Sequence, residues 1–373
     1  MNINPFVLSP AIPDELFCDR QSESASLIKS LLNQENVLLI SPRRVGKTGL
    51  IYHCFHQPEI GDNYLTVSID ILHTTSFQEF IKELGTAVFN TVAKRSEKLS
   101  KLFITTLRSL SGSFGIDPVT YMPTFDLKLG QINMPEYTLD EIFIYLEKAE
   151  MPCIVAIDEF QQITKYPEGN IEALLRGRIQ KLTNTHFIFA GSERRIMNEM
   201  FFSDKRPFFQ SATLLQLEPI NLDVYTEFAV RQFHAAGKDI SCEAIAWAYQ
   251  TFEGVTMYIH KLLHDTFADT MPGTTCTISE MQYAAEQLLQ QNAKRLQELL
   301  AYVTEQQKEL LYAIAADRNV QRITSSDFVR RHHLKSASAV QSAVRRLLDL
   351  DLITEQHKSF SVSDPLLRIW IDR

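Results

Sequence analysis

The chain has 373 residues, more than the usual size of about 100–200 residues for one domain, so two or three domains are expected. The net charge of −8 disfavours uniform, nonspecific attraction to nucleic acid. No stretch approaches the roughly 20 consecutive apolar residues of a membrane-spanning helix, the N-terminus lacks a basic signal-peptide region, and the scattered cysteines show no zinc or disulfide spacing. We therefore expect a cytoplasmic protein that makes no contact with a membrane.

A helix is predicted over residues 23–35, and it leads into the first motif of the chain. The apolar run 37–41 predicts a strand, and a helix over 46–56 follows after a loop, in the order that a phosphate-binding P-loop requires. Backbone N–H groups of such a loop converge on phosphate, Lys47 can reach the β and γ oxygens, and the Thr48 hydroxyl can ligate Mg²⁺. The residues expected around the nucleotide are Pro42, Arg43, Arg44, Val45, Gly46, Lys47, Thr48 and Gly49.

One position departs from the P-loop pattern, because Ser41 stands where the pattern has its first glycine. Ser41 must therefore avoid a left-handed backbone or adopt one at a cost of roughly 1 kcal/mol or more. Gly46, where the backbone passes closest to phosphate, is kept. The alternative to a phosphate site is a surface turn that matches this short pattern by accident.

The next segment carries no evident chemistry. A strand is predicted over 64–70 and an amphipathic helix over 76–95. Residues 96–137 mix apolar side chains with glycines and prolines, which predicts an insertion with a helix and an irregular hairpin. This insertion either gates the site, binds a partner or only packs on the core. A further helix is predicted over 138–149.

A pair of acidic residues forms the second motif. Residues 153–157 are a continuous apolar run, as in a strand buried on both faces of a parallel sheet, and Asp158 and Glu159 follow directly. A P-loop sheet holds its metal at the carboxyl end of such a strand, so Asp158 is predicted in the outer shell of Mg²⁺, through water or Thr48. Glu159 is predicted to orient and polarise the attacking water. The alternative is that both acids only cap the next helix.

A third strand, over residues 186–191, follows a helix over 170–183 and ends in Ser192. A small polar group there can contact the γ-phosphate or the attacking water, which makes Ser192 a candidate sensor of hydrolysis; the alternative is an ordinary turn serine. Residues 214–217 predict a fifth strand. Together these segments predict a doubly wound parallel α/β sheet of the P-loop NTPase type, whose strand ends converge on one ligand crevice.

The last third of the chain indicates two further modules. From Asn221 to about residue 298 the pattern is helical throughout, which fits a lid over the nucleotide. Helices over 305–317, up to 333 and over 337–350, followed by a hairpin, then form a winged helix-turn-helix pattern. This module either reads a DNA major groove or only packs on the ATPase. The residues that would face DNA are Gln341, Arg345 and Arg346.

These motifs resemble those of a known family, the archaeal-type ATPases of the STAND class within the AAA-related P-loop ATPases. The resemblance covers nearly the whole chain and implies an ATPase core, a helical lid and a winged helix that act as a nucleotide-controlled switch. It implies Arg20 at the edge of the nucleotide pocket, Glu159 as the catalytic acid and Ser192 as the sensor. The stretches that carry it are Phe17 to Glu23, Pro42 to Thr48, Asp158 to Gln161, Phe189 to Ser192 and Asp364 to Trp370.

Three positions depart from the family pattern. Asp19 replaces a glycine in the upstream box, and Thr256 replaces a proline in the lid segment. The Gly-Arg pair expected after the sensor strand is absent, and Arg206 is the nearest substitute. We expect an arginine from the lid or from a neighbouring subunit to stabilise transition-state charge, with Arg206 as the favoured residue.

The sequence thus predicts a P-loop ATPase core at 1–220 with its insertion, a helical lid at 221–302 and a winged-helix domain at 303–373. The predicted function is an ATP-binding switch with slow, Mg²⁺-dependent hydrolysis, in which Lys47, Glu159, Ser192 and Arg206 are catalytic. Two alternatives stay open. One is a DNA-binding regulator that hardly hydrolyses ATP, and the other is a scaffold that recruits protein partners or further copies of itself, with ATP as a structural ligand.

Overall fold

The chain divides into two compact units. The α/β unit is Ser9–Ile220, and the helical unit combines Met1–Leu8 with Asn221–Arg373. Within the ranges that the structure describes, none of the helices combines the length and apolar character needed to cross a membrane. The structure is a computed structural model and describes residues 4–9, 11–116, 123–125, 132–356 and 358–373.

A five-stranded parallel sheet forms the centre of the α/β unit. The strands of the unit are β1 (Val37–Ile40), β2 (Leu65–Asp70), β3 (Phe114–Ile116), β4 (Pro123–Phe125), β5 (Cys153–Asp158), β6 (Thr185–Gly191) and β7 (Thr213–Gln216). The sheet has the order β2-β5-β6-β1-β7. Every residue of β1, β5 and β6 is buried, which explains why these strands have continuous apolar sequences. The predicted doubly wound parallel sheet is confirmed.

Helices pack on both faces of this sheet. Leu27 and Leu50 belong to the apolar cluster on one face, and Phe80 and Leu139 belong to the cluster on the other. The helices are α1 (Gln21–Leu32), α2 (Lys47–His56), α3 (Pro58–Gly61), α4 (Phe77–Arg95), α5 (Glu97–Thr106), α6 (Pro135–Lys148), α7 (Ile171–Ile179) and α8 (Arg194–Phe202), with 3-10 turns at Asp14–Leu16, Arg108–Ser113 and Phe160–Lys165.

The register of the sheet brings three chain segments to one edge. Ile40 at the end of β1 pairs with Gly191 at the end of β6, and β5 runs parallel beside β6. The segments that carry Lys47, Glu159 and Ser192 begin where these strands end. Since the carboxyl ends of parallel strands share one edge, the fold places the three segments next to one another.

The predicted insertion over 96–137 contains a helix and a strand pair. Helix α5 is followed by a 3-10 turn, and β3 pairs antiparallel with β4. The buried Glu141 carboxylate on α6 accepts the backbone N–H of Ser109 at 3.0 Å, which fastens the insertion to the sheet layer. The remainder of the predicted hairpin, at 117–122 and 126–131, lies outside the described residues.

The helical unit contains more than helices. Two short strands pair in parallel, so the segment from 221 to 298 is not helical throughout and that prediction was wrong. Gly237 adopts a φ of +68° just after the helix that ends at Ala235, and Gly273 adopts a φ of +79° in the turn before Thr275. The elements are α9 (Leu222–Ala235), β8 (Asp239–Ile240), α10 (Cys242–Thr251), α11 (Thr256–Asp269), β9 (Thr275–Cys276) and α12 (Ile278–Ala301).

The N-terminal residues belong to the helical unit, which differs from the predicted grouping with the ATPase core. Phe6 is fully buried, and its ring centroid lies 5.9 Å from that of Phe228 and 5.7 Å from those of Phe233 and Phe267. A single aromatic residue near a terminus has no periodic pattern around it. Its packing partners could therefore not be predicted from local sequence.

The end of the chain forms the predicted winged helix-turn-helix. The elements are α13 (Glu305–Asp317), α14 (Ser326–Arg331), α15 (Ala337–Asp349), β10 (Ile353–Gln356), β11 (Ser359–Val362) and α16 (Pro365–Ile371). Strands β10 and β11 pair antiparallel as the wing. Helix α15 buries Val340, Val344 and Leu347, while its opposite face exposes Gln341, Arg345 and Arg346.

The last helix, α16, returns to the other helices of its own unit. The Tyr258 hydroxyl donates to Asp364 at 2.6 Å. The buried Arg368 guanidinium donates to the Thr251 carbonyl at 3.0 Å and lies 2.8 Å from the Glu253 carboxylate. These contacts fasten the winged helix to α10 and α11.

Candidate functional site

The loop after β1 contains two residues with a left-handed backbone. Arg44 and Gly46 adopt left-handed conformations, with φ of 65° and 97°. Ser41 is not among the left-handed residues, so the missing first glycine brings no backbone strain. Val45 is buried, whereas Arg43 and Arg44 are exposed. Helix α2 begins at Lys47, so its first N–H groups have no partner within the helix and point towards the preceding loop.

Lys47 lies between both acids of the second motif. Its ammonium group is 2.7 Å from Oδ1 of Asp158 and 3.0 Å from Oε1 of Glu159. The three side chains are only 8%, 8% and 14% exposed, so water screens these contacts poorly. The structure therefore brings together the lysine and the two acids that sequence analysis placed in one site.

Thr48 and Asp158 form the second contact between the motifs. The Thr48 hydroxyl donates to Oδ2 of Asp158 at 2.7 Å. Mg²⁺ in nucleotide sites is held by one or two protein oxygens together with phosphate oxygens and water. The donor set of these two residues fits Mg²⁺, and Thr48 and Asp158 are the side chains that would hold it.

The carboxylate of Glu159 is held from two sides. On the side opposite Lys47, its Oε2 atom accepts hydrogen bonds from the Ser192 hydroxyl at 2.7 Å and from the Gln161 amide at 2.5 Å. Burial alone raises the pKa of Glu159, but the Lys47 charge and the hydrogen bonds from Ser192, Gln161 and Lys47 together lower it below its usual value. Glu159 is therefore ionised at neutral pH despite its burial.

Gln161 is a site residue to which the sequence analysis gave no role. Its side chain is 1% exposed and its amide contacts Glu159. Gly191 makes room for it, because a Cβ atom at Gly191 would lie 2.5 Å from Oε1 of Gln161 and 2.7 Å from the Met197 side chain. The signal in the sequence was the glutamine two positions after Glu159.

Arg20 lies beneath the loop. It is buried, and its guanidinium donates to the Val45 carbonyl at 3.0 Å and to the Glu23 carboxylate at 2.8 Å. These contacts tie the segment before α1 to the phosphate loop. Its predicted place at the edge of a nucleotide pocket stays a prediction, as do the nucleotide contacts of Pro42 and Gly49.

Arg206 has a different environment from the one expected of a catalytic arginine. Its guanidinium forms a close ion pair with Glu172 and a second one with Glu199 at 3.1 Å. Burial raises the pKa of Glu172 even though Arg206 lowers it. Action at a γ-phosphate, in this chain or across a subunit contact, would require both ion pairs to break.

Comparison with known proteins extends these observations. A family model described as a probable winged helix domain matches residues 294–373. A search of curated proteins found no match. Among solved structures, a Walker-type ATPase of Pyrococcus abyssi has a TM-score of 0.69 at 20% identity, over 99% of this chain and 100% of that chain.

The chain has the Walker-type ATPase fold. Two proteins of Aeropyrum pernix share it. The ORC2 protein, solved as ADPNP-ADP complexes, has a TM-score of 0.55 at 12% identity, over 95% of this chain and 93% of that chain. The ORC1 protein, solved in complex with DNA, has a TM-score of 0.52 at 14% identity, over 99% of this chain and 95% of that chain. The predicted fold class, an AAA-like P-loop core with a C-terminal winged helix, is confirmed.

Proposed function

We propose that this protein is an ATP-binding switch with slow, Mg²⁺-dependent ATP hydrolysis. The observation that supports the proposal best is the cluster of hydrogen bonds and ion pairs at one edge of the sheet. Lys47, Thr48, Asp158, Glu159 and Ser192 come from three distant segments of the chain and are joined by contacts of 2.7–3.0 Å. This set contains each side chain that phosphoryl transfer to water requires, except the arginine.

Each residue of the cluster has a defined task in this mechanism. Lys47 and the loop N–H groups hold the β- and γ-phosphates, while Thr48 and Asp158 hold Mg²⁺. The metal, when bound, neutralises charge on the phosphate oxygens. Glu159 orients the attacking water and accepts its proton. Ser192 and Gln161 fix the carboxylate that does this.

A switch requires the ligand to bind two states differently. Lys47 is engaged by Asp158 and Glu159 here, and it must exchange these carboxylates for phosphate oxygens when a triphosphate binds. That exchange releases one side of Glu159 and leaves Asp158 free for the metal. Nucleotide binding is thus coupled to a rearrangement of Asp158 and Glu159. Slow turnover is expected because Lys47 must leave both carboxylates before a triphosphate is held for reaction.

Replacing Glu159 tests the proposal. Glu159→Gln keeps the shape of the side chain but cannot take a proton, so ATP binding should persist while turnover falls by roughly a hundredfold. Glu97→Gln, on the exposed surface of α5, is the matched control and should change neither quantity. Unchanged turnover in Glu159→Gln would reduce Glu159 to a structural residue and defeat the proposed hydrolysis.

A second function has an observation in its favour. Helix α15 exposes Gln341, Arg345 and Arg346 on one face, as a recognition helix would. The ORC1 protein that shares the fold was solved in complex with DNA, which makes duplex DNA the first macromolecule to test. The STAND class, the three-domain boundaries, a homo-oligomer and a cytoplasmic location stay predictions.

A further inference from the structure

The residue that follows Pro42 in the phosphate loop contacts the sensor strand. Nε of Arg43 donates to the Ser192 hydroxyl oxygen at 3.3 Å. That hydroxyl in turn donates to Oε2 of Glu159 at 2.7 Å. A chain of two hydrogen bonds therefore joins an arginine of the phosphate loop to the carboxylate that is proposed to orient water.

These contacts define which end of the site Arg43 approaches. Lys47, which must reach the β- and γ-phosphates, contacts the other oxygen of the same carboxylate at 3.0 Å. Glu159 therefore lies between Lys47 on one side and Ser192 on the other. Under the proposed function, a guanidinium in contact with Ser192 lies at the γ-phosphoryl end of the site, where Glu159 orients the attacking water.

Acidic side chains outnumber basic ones in the cluster around Lys47. The Lys47 ammonium is balanced by two carboxylates, Asp158 and Glu159, so the cluster without Arg43 carries net negative charge. Phosphoryl transfer spreads negative charge over the equatorial oxygens and is accelerated by a positioned arginine. Nε of Arg43 contacts the Ser192 hydroxyl, which in turn contacts Glu159, so Arg43 is joined to the group proposed to orient water.

We propose that Arg43 is a catalytic residue that supplies, from within the same chain, the arginine this site requires. The proposal rests on the proposed ATPase function. In the step, the water oxygen bonds to the γ-phosphorus as the bond to the β–γ bridging oxygen breaks, and the water proton passes through Glu159 to the phosphate product or solvent. ADP and inorganic phosphate leave. The Arg43 guanidinium binds the γ-phosphoryl oxygens while they gain charge.

Transition-state analogues separate this role from simple nucleotide binding. The affinity for ADP with Mg²⁺ is measured with and without aluminium fluoride, together with ATP turnover. Arg43→Ala should bind ADP within about threefold of wild type, lose the affinity added by fluoroaluminate, and turn over at least about tenfold more slowly. Arg43→Lys keeps the positive charge but lacks the planar guanidinium that can bind two oxygens at once. It should therefore restore turnover only in part. Arg195→Ala, an exposed arginine of α8, is the control and should match wild type.

Mixing variants tests whether the arginine acts within its own chain. A mixture of Arg43→Ala and Glu159→Gln should turn over ATP no faster than the two variants measured separately, and a gain in turnover on mixing would overturn action within one chain. A full fluoroaluminate response in Arg43→Ala, or equal losses of ADP and fluoroaluminate affinity, would overturn the catalytic role. Wild-type protein that forms no fluoroaluminate complex and hydrolyses no ATP would overturn both this proposal and the ATPase function, whereas an active wild type with normal Arg43→Ala would overturn this proposal alone.

Discussion

The ammonium group of Lys47 lies 2.7 Å from Oδ1 of Asp158, inside the site where a phosphate-binding lysine is expected to face phosphate. Glu159 completes this arrangement at 3.0 Å. The lysine therefore neutralises the buried Asp158 carboxylate and the mostly buried Glu159 carboxylate. Replacing Lys47 should lower the free energy of unfolding as well as the affinity for nucleotide. Replacing a solvent-exposed lysine should not lower the free energy of unfolding to this extent.

Lys47→Met should lower the free energy of unfolding by about 2–4 kcal/mol at neutral pH, because it leaves the buried Asp158 and the mostly buried Glu159 without their cation. It should also remove the increase in melting temperature on addition of ATP and Mg²⁺. Lys165→Met is the control, since Lys165 pairs with Glu193 at the surface and its loss should cost at most about 1 kcal/mol. Equal thermal shifts with ATP in wild type and Lys47→Met would contradict the site assignment.

The same variant should respond to pH in a defined direction. The pKa of Glu159 is lowered in the wild type, so its contribution to stability is present above the ordinary value of 4.5 and is lost as pH falls through the folded pKa. Without Lys47, only the hydrogen bonds from Ser192 and Gln161 oppose the effect of burial, so the pKa of Glu159 rises from its wild-type value and the ionised group contributes less stability at neutral pH. The stability gap between wild type and Lys47→Met should therefore narrow from pH 7 towards pH 4.5, as measured by denaturant unfolding; a constant gap would contradict the coupling.

Gly191→Ala should displace the Glu159 carboxylate, which is proposed to orient water, without contacting it directly. Its Cβ would lie 2.5 Å from Oε1 of Gln161 and 2.7 Å from the buried Met197 side chain, so at least one of these side chains must move. We expect a loss of about 1–3 kcal/mol in stability and a fall in turnover per folded molecule, with ATP affinity kept. Gly177→Ala, where a Cβ meets nothing within 4 Å, is the matched control and should stabilise α7 by up to about 1 kcal/mol. Normal turnover in Gly191→Ala would show that Gln161 does not position Glu159.

Arg206→Ala should act mainly on stability. It leaves Glu172, only 14% exposed, without its close partner, and we expect a loss of about 1–3 kcal/mol. Glu172→Gln in the same chain should recover part of that loss, because a neutral amide needs no counter-charge. A double-mutant cycle by urea unfolding measures this coupling. Turnover that falls in Arg206→Ala while stability is unchanged would return Arg206 to the role of the arginine finger.

The site residues that could be predicted from the sequence are those that come directly after a buried strand. An apolar run followed by acids, and a second one followed by serine, indicated that Glu159 and Ser192 meet at one sheet edge, and the structure places them 2.7 Å apart. The burial of β5 and β6 on both faces made these runs easy to recognise in the sequence.

Other features depend on contacts between distant residues. No local pattern shows that Arg206 is held by Glu172, or that Phe6 packs among aromatic rings more than two hundred positions away. The short strands β8 and β9 are too brief to produce a periodic signal. The role of Gln161 required knowing which atoms surround Glu159.

The two functions differ most in what they require of α15. If its exposed face binds duplex DNA, Arg345 and Arg346 neutralise phosphates, and the slope of log affinity against log salt should become shallower by about 1.8 when both are replaced by alanine. If the winged helix instead restrains the ATPase, its attachment matters more than its arginines. Within its own unit, the winged helix is attached through Arg368, which contacts the Thr251 carbonyl and Glu253.

The last prediction therefore compares two variants of the winged helix. We expect Arg368→Gln to raise ATP turnover, because it loosens α16 from α10, while Arg345→Ala with Arg346→Ala leaves turnover unchanged. Truncation at residue 303 is a poorer test, because it would also remove the Tyr258–Asp364 contact and uncover buried side chains of the same unit. The control for DNA binding is Arg231→Ala with Lys294→Ala, which changes the charge equally at exposed positions away from α15. Duplex binding at physiological salt that is lost only in the α15 pair, with turnover unaffected by Arg368→Gln, would favour a DNA-binding regulator over a restrained switch.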